Sequence, residues 1–178
     1  MGPRGVSGPE GPVGPRGDTG PQGAPAPSWH GSFYDTTAQM APANTATAMR
    51  LNETALSNGV SIVGGTSISF ANAGIYDIQF SAQMRKDSAS SVQLDIWLRL
   101  TRGGSTSDVP DSNTAVLLGQ SRKFVAAWDF MVSVQADDKY ELMWSTDDPT
   151  MVVLYQPPQT GPVRPATPSL IVSVVQAG

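Results

Sequence analysis

Apolar and polar residues alternate along several stretches of this chain, and the alternation predicts strands. Tyr76, Ile78, Phe80, Ala82 and Met84 interleave with Asp77, Gln79, Ser81 and Gln83 over 75–84. Leu94, Ile96, Leu98 and Leu100 do the same over 92–100, and Tyr140, Leu142 and Trp144 over 139–145. The longest run, 123–135, places Phe124, Ala126, Trp128, Phe130, Val132 and Val134 on one side. Successive side chains of a strand point to opposite faces, so each run reads as a strand with one buried face. Two segments, 151–155 and 169–176, are instead apolar at both parities, the second interrupted only by Ser173. A strand apolar on both sides is central in its sheet and covered twice. Segments 29–35, 60–63, 68–70 and 115–118 read as shorter strands, while 47–52 fits a strand or a short helix. Turn signals separate these elements at Asn58-Gly59, Gly64-Gly65, Asn72-Ala73-Gly74, Asp137-Asp138 and Asp147-Asp148-Pro149. The total is about ten strands and no convincing helix, an all-β jelly-roll sandwich.

The first 25 residues follow a different rule. Glycine falls at Gly2, Gly5, Gly8, Gly11, Gly14, Gly17, Gly20 and Gly23, eight unbroken Gly-X-Y triplets with proline at many X positions. A strict period of three is the pattern of a collagen triple helix, because only glycine fits at the axis shared by three polyproline-II chains. A flexible Gly/Pro linker has no reason to keep that register. The repeat therefore implies a homotrimer. The expected organisation is a stalk over 1–25, a stiff bridge over 26–28 and a head over 29–178.

Composition removes several classes of function. The chain has 178 residues and no cysteine, which excludes disulfides and thiolate metal sites. Arg4 and Arg16 balance Glu10 and Asp18 within the repeat, so the net charge of −4 belongs to the head. There is no basic patch to favour nucleic acid, and no apolar run long enough to insert in a membrane.

The order of motifs resembles a known family. A collagen stalk followed by a C-terminal all-β domain is similar to the complement-one-q and tumour-necrosis-factor-like jelly rolls. Ile68-Ser-Phe with Ala73-Gly74-Ile75-Tyr76, the acidic turn between Val132 and Leu142, and the closing run Pro168-Ser-Leu-Ile-Val-Ser-Val-Val175 resemble successive strands of that fold. Asn58-Gly-Val-Ser-Ile62, Gly74-Ile-Tyr-Asp-Ile-Gln-Phe-Ser81 and Asp95-Ile-Trp-Leu98 resemble segments of phage fibre and virion structural proteins. The resemblance implies a structural and adhesive virion fibre whose head trimerises the stalk. Its expected partners are two further copies of itself and a host-surface glycan or protein, or neighbouring virion proteins. A secreted or spore-surface collagen-like protein of the same architecture is the alternative location; a glycan-degrading fibre enzyme is the third reading.

Candidate chemistry is sparse. Trp97 sits on the polar parity of its run, and a large aromatic there points to a second buried surface, which a trimer would supply. Trp29, Phe33, Val152 and Leu154 are the other candidates for that interface. His30 is the sole histidine, and the paired aspartates fall where turns belong, so no catalytic site is assigned and the chain is read as a non-enzyme. No cofactor is expected; a calcium site drawn from Asp108, Asp111, Asp147 and Asp148 is the alternative to plain turn chemistry. Recognition is expected in one or more of the polar segments 85–91, 102–113 and 156–167, because the strands are committed to the core; the alternative is that these segments are simple connectors.

Overall fold

The structure is a computed structural model that describes residues 1–6, 8, 28–119 and 122–177. Most of the collagen-like repeat, including Gly11, Gly14, Gly17, Gly20 and Gly23, lies outside the described residues. Gly2, Gly5 and Gly8 fall in exposed chain, with nothing within 4 Å of their Cβ positions.

The described residues form sixteen strands and no helix. In chain order they are β1 (His30–Asp35), β2 (Gln39–Met40), β3 (Thr47–Ala48), β4 (Glu53–Asn58), β5 (Val60–Val63), β6 (Ser67–Phe70), β7 (Gly74–Lys86) and β8 (Val92–Arg102). There follow β9 (Ser105–Asp108), β10 (Thr114–Leu118), β11 (Arg122–Val134), β12 (Lys139–Thr146), β13 (Val152–Val153), β14 (Gln159–Thr160), β15 (Val163–Arg164) and β16 (Leu170–Gln176). The number exceeds ten because β2, β4, β9, β14 and β15 form outside the segments that the alternation marks.

Two seven-stranded sheets hold nearly all of them. In the first, β11, β7, β16, β1 and β4 lie side by side, and β13 extends the line of β16 along the far end of β7. In the second, β10, β8, β12, β6 and β5 lie side by side, with β9 on β8 and β3 on β12. Neighbours in both sheets pair antiparallel. The closing strand is central as its sequence implies: β16 runs between β7 and β1, with Leu170, Val172 and Val174 at 0% exposure.

The alternating residues face each other between the sheets. Phe33, Ile78, Phe80, Val172 and Val174 from the first meet Ile68, Phe70, Leu94, Ile96, Leu98, Leu142 and Trp144 from the second in one core cluster. Phe70 packs edge-on against Tyr76 at 4.8 Å and Tyr140 at 5.8 Å between ring centroids, a favoured aromatic geometry. Both phenols still find acceptors, Tyr76 donating to the Asn72 carbonyl and Tyr140 to that of Ser133. Gly59 is obligatory where β4 turns into β5. Its φ is +70°, and a Cβ there would lie 2.7 Å from the Trp29 ring.

The three segments read as loops are more ordered than their composition suggests. Segment 102–113 is a hairpin, β8 to β9 through Gly103-Gly104, followed by a short turn. Segment 156–167 contains the β14–β15 hairpin, closed by pairing of Gln156 with Thr167. The strand β7 runs on to Lys86, which is buried and donates from Nζ to the carbonyls of Ser90, Leu118 and Gly119. That side chain ties the 87–91 turn to the end of β10.

Candidate functional site

The first sheet leaves an aliphatic face uncovered. Its inner parity is core, but the outer parity carries Ile171 and Val175 on the central strand β16 and Val125 and Met131 on the edge strand β11. Their exposures are 38%, 49%, 52% and 62%. The register sets Ile171 in a row with Tyr34, Ser81 and Ala127, and Val175 with Met131 in a row shared by His30 and Asp77, while Val125 pairs with Gln83. A central strand that exposes aliphatic groups on one side has half of the cover its sequence calls for.

The outward face of the second sheet carries a cavity of about 610 Å³, lined by Asp95, Trp97, Asp108, Val109, Asp111, Asn113 and Ser145. It forms where the edge pairing of β8 is interrupted. β10 covers that edge as far as Ile96 and β9 resumes at Arg99, so Trp97 and Leu98 face the turn 109–113 instead. That turn is fixed to Leu98: its carbonyl accepts from Val109 N at 2.9 Å, and its amide donates to Ser112 Oγ at 3.0 Å. Ser112 in turn donates to the Val109 carbonyl at 2.8 Å. Asp111, next in the turn, holds a φ of 60°, a conformation aspartate tolerates better than most residues.

Charged groups around the cavity are positioned by partners. Asp95 accepts from Asn113 at 3.1 Å and from Gln93 at 2.8 Å. Asp108 accepts from Arg99 Nε at 2.8 Å. That hydrogen bond, and then the Trp97 indole N–H turned toward Asp108 without reaching hydrogen-bond geometry, hold its carboxyl below the usual carboxylate range. Beside Trp97, Met143 is its register partner on β12 and is buried although it points away from the core. The indole is thus half-buried by its own chain.

The residues nominated for an inter-subunit surface do not share one. Phe33 is core of the single chain at 0% exposure, and Val152 is buried at 6% between its pairings with Arg85 and Met40, so neither has surface left for a neighbour. Trp29 packs half-buried against the core beside Gly59, while Leu154, half-buried with its amide bonded to the Gln83 carbonyl at 2.6 Å, shares a groove with Val125 at the border of the uncovered face. Trp97 lies on the other sheet from the uncovered aliphatic face. The missed residues had a signal: Val125, Ala127 and Met131 are apolar on the outward parity of β11, diluted by Lys123, Asp129 and Ser133.

The four calcium candidates do not converge either. Asp108 and Asp111 share the cavity, but Asp147 accepts from the Gln93 amide at 3.0 Å. Asp148 accepts from Ser88 and Thr150, which lower its carboxyl from the ordinary value. Among the described residues no three His, Asp or Glu side chains are placed as metal ligands. His30 donates from Nδ1 to the Ser28 carbonyl at 2.9 Å, a structural role at the entry to β1.

By sequence, no family model and no curated protein matches the chain. Solved structures match by fold. The globular domain of the zebrafish complement 1qA protein superimposes with a TM-score of 0.56 over 85% of this chain and 98% of that domain, at 12% identity. The fold is the complement-one-q and tumour-necrosis-factor jelly roll. The Eiger tumour-necrosis-factor structure from S. frugiperda gives 0.60 over 86% and 94%, at 9% identity. Murine APRIL at pH 8.0 gives 0.50 over 84% and 98%, also at 9% identity. At such identities the superpositions show the jelly-roll fold alone. Among the described residues no helix is long and apolar enough to cross a membrane.

Proposed function

We propose that this chain is the subunit of a homotrimeric fibre, with residues 1–25 as collagen stalk and 29–178 as the head that trimerises it. The observation that carries this reading is the uncovered aliphatic face on β16 and β11. Eight Gly-X-Y triplets bring three chains to one axis. Each of those chains ends in a head whose central strand exposes Ile171 and Val175. Two further copies of the same face are the occupants that the stalk delivers. Obligate interfaces of this kind bury about 2,000 Å² or more, and covering exposed aliphatic groups is what drives them.

The fibre is proposed to be a virion component with an adhesive head, on the strength of the phage-like wording of segments such as 74–81 and 95–98. The test is location: mass spectrometry of purified particles and immunogold labelling of intact ones. Labelled fibres projecting from the particle support the assignment. Recovery of the protein only in culture medium or on spores overturns the virion assignment while leaving the trimeric fibre intact.

A further inference from the structure

The cavity over Trp97 is not needed to close the core, and it lies on the sheet opposite the face assigned to the trimer. We propose that it is a saccharide site that accepts a neutral pyranose. That this site is the head's contact with a surface glycan rests on the reading of the chain as a fibre head.

The lining carries the inference. The indole of Trp97, backed by its own chain and turned with its N–H toward Asp108, offers an apolar ring to the C–H face of a sugar. Around it the groups are mixed. Asp95 and Asn113, already hydrogen-bonded to each other, set an acceptor beside a donor, the pairing that vicinal hydroxyls need. Asp108 has one oxygen fixed by Arg99 and keeps acceptor capacity on the other. Asp111 carries no hydrogen bond among the described residues, and Ser145 adds a hydroxyl. At about 610 Å³ the space falls within the range of small-ligand sites. Because Ser112 fixes the turn to Leu98, the wall is preformed, which spares the ordering cost of binding.

Charge narrows the ligand further. Three carboxylates line the cavity, so uronic and sialic acids are repelled. Arg99 offsets the Asp108 charge, while Gln93 and Asn113 hold Asp95 in place as neutral donors, so hydroxyl donors find acceptors here and an anionic sugar does not. In a trimer the site occurs three times, so weak single contacts add on a repeating glycan.

The test uses the full chain on immobilised neutral (gluco-, galacto- and manno-configured), amino-bearing and uronic-acid-bearing oligosaccharides. Titration calorimetry with the methyl glycoside of the strongest binder follows, with sedimentation of every variant run alongside. The expected result is binding to neutral saccharides, none to uronic-acid-bearing ones, and binding of an amino-bearing one only where its neutral parent binds. Trp97→Ala should abolish it, and Trp97→Phe should retain binding within about tenfold. Asp111→Asn, an exposed change that disturbs no fold contact, should weaken it about fivefold through loss of a charge-assisted acceptor. The proposal is overturned if no neutral saccharide binds, or if Trp97→Ala and Asp111→Asn both bind as wild type. It is also overturned if methylammonium chloride competes as well as the glycoside, since the pocket would then be a cation site. A chain that binds the glycoside but sediments as a monomer refutes the trimeric fibre and leaves the saccharide site standing.

Discussion

Replacing Asp138 with asparagine removes a charge while keeping the shape of the side chain. Asp138 is 1% exposed at the β11–β12 turn. Arg102 Nε reaches its two oxygens at 2.8 and 3.1 Å and Nη2 adds a third contact, while the Gln135 amide donates at 2.7 Å. Burial pushes the Asp138 carboxyl up, but the Arg102 hydrogen bonds and the Gln135 amide outweigh it and hold the group below the ordinary carboxylate value. Breaking a fully buried ion pair costs about 3–5 kcal/mol. Here the Arg102 side chain is 39% exposed and regains water when released, so Asp138→Asn should cost about 2 kcal/mol. The sign of the pH dependence follows from the lowered pKa. The stabilisation is complete above the unfolded-state value of about 3.9 and is lost as pH falls through the lower folded-state value. Urea unfolding followed by tryptophan fluorescence, at equal protomer concentration because association adds to apparent stability, should show the gap at pH 7 and its closure toward pH 2.5. An equal gap at both pH values, or none at pH 7, would refute the assignment of stability to this ionised carboxylate.

Three further outcomes follow. Ile171→Asp places a charge on the outward face of the central strand; the single chain should stay folded by circular dichroism. Burying that carboxylate at an interface costs roughly 2 kcal/mol or more per copy, so sedimentation velocity should show loss of trimer, and a trimer of normal stability would remove this face from the interface. Gly14→Ala should abolish the collagen circular-dichroism band and its melting while the head keeps its fold; an unchanged band would sink the triple helix. Gly59→Ala forces a side chain into positive φ against the Trp29 ring and should cost about 1–2 kcal/mol, a drop of about 3–6 °C in Tm; an unchanged Tm would refute that close approach.

The core was legible in the sequence because alternation records burial directly. β7, β8, β11 and β12 each bury the parity that their apolar residues mark, and β16 is central as its β-branched run implies. Strands without a buried face left no such record. All six residues of β4 and all four of β9 are exposed, so pairing with β1 and β8 creates these strands, not side-chain burial. Lys86 was hidden for the opposite reason: a charged residue usually marks a loop, but three carbonyls here satisfy its ammonium inside the fold. Trp97 stands out at a polar-parity position, and within the single chain it meets an interrupted edge of its own sheet. That interruption comes from Ser112 and Val109 bonding to Leu98, a pairing between residues distant in sequence that no local pattern encodes.

Sedimentation equilibrium of the full chain and of a chain lacking residues 1–27 decides whether the head itself enforces a trimer. Three times the 18.7 kDa protomer mass is expected for the full chain, and three copies again for the shortened one, because the face on β16 and β11 lies wholly within the head. A monomer or dimer of the shortened chain at micromolar concentration would contradict it.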